Sequence, residues 1–158
     1  MTKEPNTTSA FYRKELAFKR LTLFVDFKRM LEQLQRAIEA EEWADGANWD
    51  GAFGDTISEA EAAWQSVAEL AEAVINQPPL SLNDLLLHRV AGSVRNAVAA
   101  GQADELLFIH AKAERWCCDA PPGLSSRSVR LANGALLCLD RMYEIAAGRS
   151  EGNLPSSV

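Results

Sequence analysis

Three absences limit what kind of protein this chain can be. It has only three cysteines, two of them adjacent as Cys117 and Cys118, which is not the pattern of a small disulfide-stabilised secreted domain. No apolar run is long enough to span a bilayer, and the first eight residues lack the apolar core of a signal peptide. We therefore expect a cytoplasmic protein with reduced cysteines that does not enter a membrane.

Glycine and proline are missing from the whole segment between Ser9 and Glu42. Apolar residues recur in this segment three and four positions apart, which places them on one face of a helix. They are Phe24, Phe27, Leu31, Leu34 and Ile38. Further apolar side chains make this face broader than the seam of a two-stranded coiled coil, so the segment predicts a long N-terminal helix within a globular bundle.

Basic residues are missing from the middle of the chain. Between Ala37 and His88 there is no lysine or arginine but there are eleven acidic residues, whereas the segment from Phe11 to Arg36 has seven basic residues and three acidic ones. The formal net charge of −6 argues against general binding to nucleic acid or anionic lipid, because both require clustered cations. We expect the acidic block either to face the basic first helix or to face outward as a docking surface.

Start and stop signals divide the rest of the chain into four further helices. Hydroxyl and acidic residues mark the starts, and glycine or proline marks the ends. The predicted starts are Ile57 (a capping box of Thr56 and Glu59), Leu82 (capped by Ser81 with Asp84), Asp104, and Ser125 or Ser126; the predicted ends are Asn76 to Pro79, Gly101, Pro121 to Gly123, and Gly148. The segment from Ala44 to Asp55, with three glycines, is predicted to be a loop.

These signals, without any strand pattern, predict an all-α, single-domain bundle of about five helices over residues 9–148. Residues 1–8 and the polar tail 149–158 are expected to be disordered. A first helix of about 50 Å is longer than one small bundle can cover, so we also expect a homodimer with part of that helix in the interface. The side chains predicted to be buried are Phe27, Leu31, Leu34, Trp64, Val67, Leu86, Val90, Leu136, Leu139 and Tyr143.

The loop between the first two helices combines aromatic and acidic residues. Tryptophan is a preferred anchor at protein interfaces, and loops often display such anchors. In the alternative interpretation, these aromatic rings cover the end of the bundle and bind no partner. The candidate partner-binding residues, with Trp49 favoured as the anchor, are Trp43, Asp45, Trp49, Asp50, Phe53 and Asp55.

Two pairs of glutamates, Glu39-x-x-Glu42 and Glu69-x-x-Glu72, lie on predicted helices. Carboxylates three residues apart share a helical face, and two such pairs on facing helices can hold Mg²⁺. The arrangement resembles the paired acidic motif of all-α nucleoside triphosphate pyrophosphatases of the MazG and dimeric dUTPase type, although the last acidic position of that motif is usually aspartate. The resemblance implies an Mg²⁺-dependent hydrolase with these four glutamates as metal ligands.

Histidine and cysteine offer a weaker possibility for metal binding. His110 and Cys117 are seven residues apart, on one helical face, but a tetrahedral site would need further ligands such as His88 or Cys138. No pair of cysteines has the C-x-x-C spacing. Because a buried cysteine behaves as a small apolar residue, we expect the cysteines to be packing residues and His88 to lie on a helix surface.

Two function classes are left open by the sequence. The first is a non-enzymatic interaction or adaptor protein, without metal or cofactor, whose acidic and aromatic surface binds a basic protein partner. Such a protein can inhibit its partner or imitate the charge of nucleic acid towards it. The second class is the Mg²⁺-dependent hydrolase. The enzyme requires the four glutamates to converge in one cleft, whereas the adaptor does not.

Overall fold

The computed structural model describes the backbone of residues 7–47 and 54–152, and the side chains of residues 22–46 and 57–151. The described residues form five helices and no strand, which confirms the all-α bundle. The helices are α1 (Thr7–Ala47), α2 (Gly54–Ile75), α3 (Leu82–Ala99), α4 (Ala103–Cys118) and α5 (Ser126–Gly152). Within these residues, no helix combines the length and the apolar character that crossing a membrane requires.

Helix α1 is long, as predicted, and extends beyond both predicted ends. It begins at Thr7, so two residues assigned to a disordered N-terminus are helical, and it continues through Asp45 and Gly46 into the segment predicted to be a loop. A glycine inside a helix costs only about 1 kcal/mol relative to alanine. The extra turn is held by Arg149 of α5, which binds Asp45.

The first two helices pack along each other, and α3 and α5 complete the bundle. The short connection between Ala47 and Gly54 makes α1 and α2 antiparallel neighbours. Helix α3 contacts α1, α2, α4 and α5, and α5 contacts α1, α3 and α4. The largest fully buried side chains come from α1, α2, α3 and α5, including Phe27, Met30, Leu34, Val67, Val90 and Leu139.

Most of the predicted core is confirmed. Seven of the ten predicted side chains are buried: Phe27, Leu31, Leu34, Val67, Leu86, Val90 and Leu139. Trp64, Leu136 and Tyr143 are half-buried and pack against that core. Ile57 and Leu82, the predicted first residues of α2 and α3, are exposed, because both lie in the first turns of their helices at the rim of the bundle.

The connection between α2 and α3 is tightly hydrogen-bonded. Helix α2 ends at Ile75, before the two prolines as predicted, and Gln77 Nε2 donates to Asp26 of α1 at 2.7 Å. The Ser81 cap is confirmed, since its Oγ accepts from the backbone N–H of Asp84 at 3.1 Å. The buried Asp84 carboxylate in turn accepts from the backbone N–H of Leu80. These bonds fix the angle at which α3 leaves α2.

Two further predicted helix boundaries, the start of α2 and the end of α5, are wrong. Helix α2 begins at Gly54, which places Thr56 inside the helix rather than at its cap, because one more turn forms upstream of the capping pair. Helix α5 is capped by Ser125, whose Oγ accepts from the Ser128 N–H, and runs past Gly148 to Gly152. Residues 149–152 are therefore helical rather than part of a disordered tail, and residues 153–158 lie outside the described residues.

Candidate interaction surface at the α1–α2 end of the bundle

An exposed tryptophan marks the end of the bundle where α1 gives way to α2. Trp43, in the last turns of α1, is 66% exposed, although tryptophan is usually largely buried. Ile57, in the first turns of α2, is 44% exposed. We call this end of the bundle, with the exposed carboxylates that the two helices carry there, the α1–α2 end.

The structure describes only part of the predicted partner-binding set. Trp43 and Asp45 are described, on α1. Trp49, Asp50 and Phe53 lie outside the described residues, and Asp55 is described only as part of the backbone of α2. Those four residues stay predictions from the sequence.

Asp45 is neutralised within the molecule. Arg149 Nη2 lies 2.7 Å from Oδ1 and 2.8 Å from Oδ2 of Asp45, and it also lies 2.8 Å from Glu41 Oε1. The hydrogen bond with Asp45, followed by the bond with Glu41, raises the pKa of the Arg149 guanidinium. Arg141 donates similarly to Glu42. The cations that neutralise these carboxylates therefore come from α5, not from the basic first helix considered in the sequence analysis.

Other carboxylates at this end make no ion pair with any described side chain. Glu39, Glu59 and Glu61 are exposed, and none of them has a lysine or arginine partner among the described residues. Glu59 and Glu61 are therefore open to interaction with solvent or a partner, whereas the pKa of the Arg141 guanidinium is raised chiefly by Glu42 and also by Glu39.

A cleft runs beside the surface between α1, α2 and α5. Its larger part has a volume of about 380 Å³, and the polar side chains lining it include Glu41, Glu61 and Arg149, with Trp64 among its apolar ones. A smaller part of about 230 Å³ shares those four residues and reaches Ile57. Sequence reasoning missed Arg149 because it assigned that residue to the tail. The available signal was the spacing of Glu41 and Asp45, which four residues apart present one helical face to a cation.

The four glutamates of the pyrophosphatase-like motif do not gather into one site. Because α1 and α2 are antiparallel, Glu39 and Glu42 near the end of α1 are far along the axis from Glu69 and Glu72 near the end of α2. Glu72 instead binds Arg95 of α3 at 2.8 Å. Among the side chains that the structure describes, no group of three or more metal-ligating residues comes together. The convergence that the hydrolase requires is therefore not found.

The histidines and cysteines also have separate roles. His88 is half-buried rather than on a helix surface, because its Nε2 donates to the Ile75 carbonyl at 2.8 Å and ties α3 to the end of α2. Cys138 is buried, as expected of a packing residue, and burial raises the pKa of its thiol to about 11. Cys117 is half-buried with a raised pKa, again chiefly through burial. Cys118 is exposed, so the expectation that it packs in the core is wrong; it lies in the last turn of α4.

No protein-family model, no curated protein and no solved structure matches this chain. Inference about function therefore depends on the geometry and charge of the surfaces described here.

Proposed function

We propose that this chain is a non-enzymatic interaction protein that binds a basic protein partner through the α1–α2 end. The observation that supports this most strongly is the 66% exposure of Trp43, which lies one helical turn after Glu39 on α1. A large, rigid aromatic ring surrounded by polar side chains is typical of an energetic anchor at a protein interface. In this proposal Trp43 contributes most of the binding free energy.

The unpaired carboxylates of the α1–α2 end have a different role in the proposal. Glu39, Glu59 and Glu61 attract a basic partner and increase the rate of encounter, an effect that falls as salt screens charges beyond about 8 Å. Glu41, Glu42 and Asp45 contribute less to that attraction, because Arg141 and Arg149 already neutralise them. Asp50 and Asp55, together with the rings of Trp49 and Phe53, are proposed to extend the same surface.

The experiment is partner capture with matched variants. The immobilised protein captures its partner from host extract, and the purified pair is then compared using Trp43→Ala and, as the control, Leu137→Ala. Leu137 is 68% exposed on α5, so both variants remove an exposed apolar side chain of similar accessibility. We expect Trp43→Ala to speed dissociation about 10-fold or more, since anchor residues are worth about 2 kcal/mol or more. Equal dissociation rates for the two variants would eliminate the α1–α2 end as the binding site.

A second arm separates charge attraction from anchoring. Replacing Glu39, Glu59 and Glu61 by glutamine should slow association with the captured partner and flatten its salt dependence, while leaving dissociation nearly unchanged. A triple variant with unchanged association at low salt would contradict the proposed basic character of the partner.

We also propose that two copies of the chain associate through α1. This helix has 41 residues and is about 60 Å long, whereas its neighbour α2 has 22 residues and is about 33 Å long. Helix α2 therefore cannot cover the whole of α1. Light scattering should give twice the chain mass at micromolar concentration, and a monomer mass throughout that range would rule out the dimer.

A further inference from the structure

The groove between α3 and α4 differs in charge from the rest of this acidic protein. A cavity of about 280 Å³ lies there, and its lining includes Arg89, Arg95 and Lys112 but no carboxylate. Trp116 and Phe108 supply its aromatic walls. We call this cavity the α3–α4 groove. Three cations on one lining are unusual in a chain with a formal net charge of −6.

Two of the three cations are positioned without being neutralised. Lys112 Nζ lies 5.4 Å from the centroid of the Trp116 ring, and Arg89 Cζ lies 6.0 Å from it. A cation over an aromatic ring is held in place but keeps its charge. Among the described side chains, neither Arg89 nor Lys112 has a carboxylate within ion-pairing distance, whereas Arg95 is paired with Glu72. The groove therefore presents two ordered and uncompensated positive charges.

Apolar surface adjoins these charges. Phe108 is 70% exposed, and its neighbour Leu107 is 49% exposed. Phe108 borders both the α3–α4 groove and a shallower depression of about 570 Å³ that Asp104 and Glu105 line at the other end of α4. The combined surface thus runs along α4 from a cationic end through an exposed ring to an acidic end. The twelve residue steps from Asp104 to Trp116 span about 18 Å.

The shape of this surface fits a helix. Two antiparallel neighbouring helices form a valley in which a third helix packs at about 8 to 10 Å. Helix α3 also contacts α1, α2 and α5, and α4 also contacts α5. Gly92 lies in the lining of the groove, and a Cβ added to it would meet no atom within 4 Å, so the backbone of an incoming helix has room to approach.

We propose that the α3–α4 groove binds an amphipathic helix of a partner protein that carries acidic residues at one end of its apolar stripe. The carboxylates lie against Arg89 and Lys112, and the apolar stripe covers Phe108. This surface is separate from the α1–α2 end and takes the opposite charge, so the two sites do not compete for the same partner.

The probe is a pair of synthetic helical peptides of about 14 residues with one leucine stripe, the first with glutamates at one end of the stripe and the second with lysines there. Labelled-peptide anisotropy measures both affinities for the whole protein. The glutamate peptide should bind at least about 10-fold more tightly than the lysine peptide. The net negative charge of the whole protein would by itself favour the lysine peptide. Equal affinities, a preference for the lysine peptide, or no saturable binding at about millimolar peptide would overturn the proposal.

Variants of the groove test its location. Lys112→Glu should abolish the preference for the glutamate peptide, and Phe108→Ala should weaken binding about 10-fold. The matched controls are Arg130→Glu and Leu137→Ala, which make the same kinds of change at exposed positions of α5. Each control should retain the affinity of the unmodified protein, as should Trp43→Ala at the other surface.

Gly92→Met separates binding from folding. The new side chain fills the open space over Gly92, and it replaces a helix-interior glycine by a better helix former. We expect a thermal midpoint equal to or above that of the unmodified protein, together with loss of peptide binding. A folded Gly92→Met protein that binds the glutamate peptide with unchanged affinity would place the site elsewhere.

Discussion

Two regions of this bundle use arginine in opposite ways. Where α5 packs beside α1, Arg141 and Arg149 bind carboxylates of the neighbouring helix. In the α3–α4 groove, Arg89 lies over the Trp116 ring instead, without a carboxylate partner among the described side chains. The same residue type therefore stabilises the fold in one region and presents charge to solvent in the other.

The contact between α1 and α5, which we call the α1–α5 seam, is bridged at several points along its length. From one end to the other, Arg127 lies over Phe24, Gly134 approaches Leu31, Arg141 binds Glu42, and Arg149 binds Asp45. The residue numbers on both helices rise together, so α1 and α5 run in the same direction. The seam is filled by partners from within the chain, whereas the groove is open, and this difference can be tested.

The largest expected difference is in thiol reactivity. Cys138 lies in the seam with a pKa of about 11, raised from 9.0 by burial, while Cys118 at the end of α4 is exposed. Two pKa units lower the reactive thiolate fraction about 100-fold, and burial adds a further barrier. Single-cysteine variants labelled with an aromatic disulfide at pH 8 should therefore differ in rate by about 100-fold or more. The two rates should become similar in denaturant; similar rates in the folded protein would mean that the seam opens readily.

Charge reversal should separate the two regions by a smaller amount. Arg149→Glu removes two exposed ion pairs and adds repulsion, so the free energy of unfolding should fall by about 1 to 2 kcal/mol. Lys112→Glu in the groove breaks no ion pair among the described residues, and we expect a change within about 0.5 kcal/mol. Urea unfolding measures both variants. Added salt should reduce the loss of unfolding free energy caused by Arg149→Glu, because salt screens exposed charges. If the two variants lost equal amounts of unfolding free energy, the distinction between the two regions would be contradicted.

Two glycines should give the smallest difference. Gly92 in the groove has open space, so Gly92→Ala should stabilise the protein by about 0.4 to 1 kcal/mol. A Cβ on Gly134 in the seam would lie 3.0 Å from Leu31 Cδ2, so the buried leucine would have to shift and the gain should be cancelled or reversed. Thermal unfolding of both alanine variants measures the difference. If Gly134→Ala stabilised the protein as much as Gly92→Ala, the packing of Leu31 against Gly134 would be looser than the structure shows.

Much of the fold could be predicted because its signals are local. The absence of glycine and proline between Ser9 and Glu42 predicts α1, and the capping bond of Ser81 with Asp84 occurs where the sequence indicates it. The errors fall at helix ends such as Gly54 and Gly152, where weak local preferences are overridden by neighbouring structure. Local periodicity predicts which face of a helix is apolar, but not how far a neighbouring helix extends to cover it.

The candidate surface was predicted less completely. The anchor favoured from the sequence is Trp49, which lies outside the described residues; Trp43 could be selected only as one of several aromatic candidates near a helix end. The exposure of Trp43 could not be predicted from the sequence, because the same ring could equally well cover the end of the bundle. The α3–α4 groove was missed entirely: Lys112 is one helical turn from Trp116 on α4, but only the packing of α4 on α3 brings Arg89 to the same ring.

The sequence by itself determined that this protein is helical, how many helices it has, and which apolar residues form most of its core. These properties follow from the 3.6-residue period of the helix and from signals within a few residues of each helix end. The tertiary structure alone decided which charges are neutralised. The ion pairs of the seam join residues 99 and 104 positions apart, and no local pattern specifies contacts at such separations. Only the packing of α5 beside α1 brings these charges together.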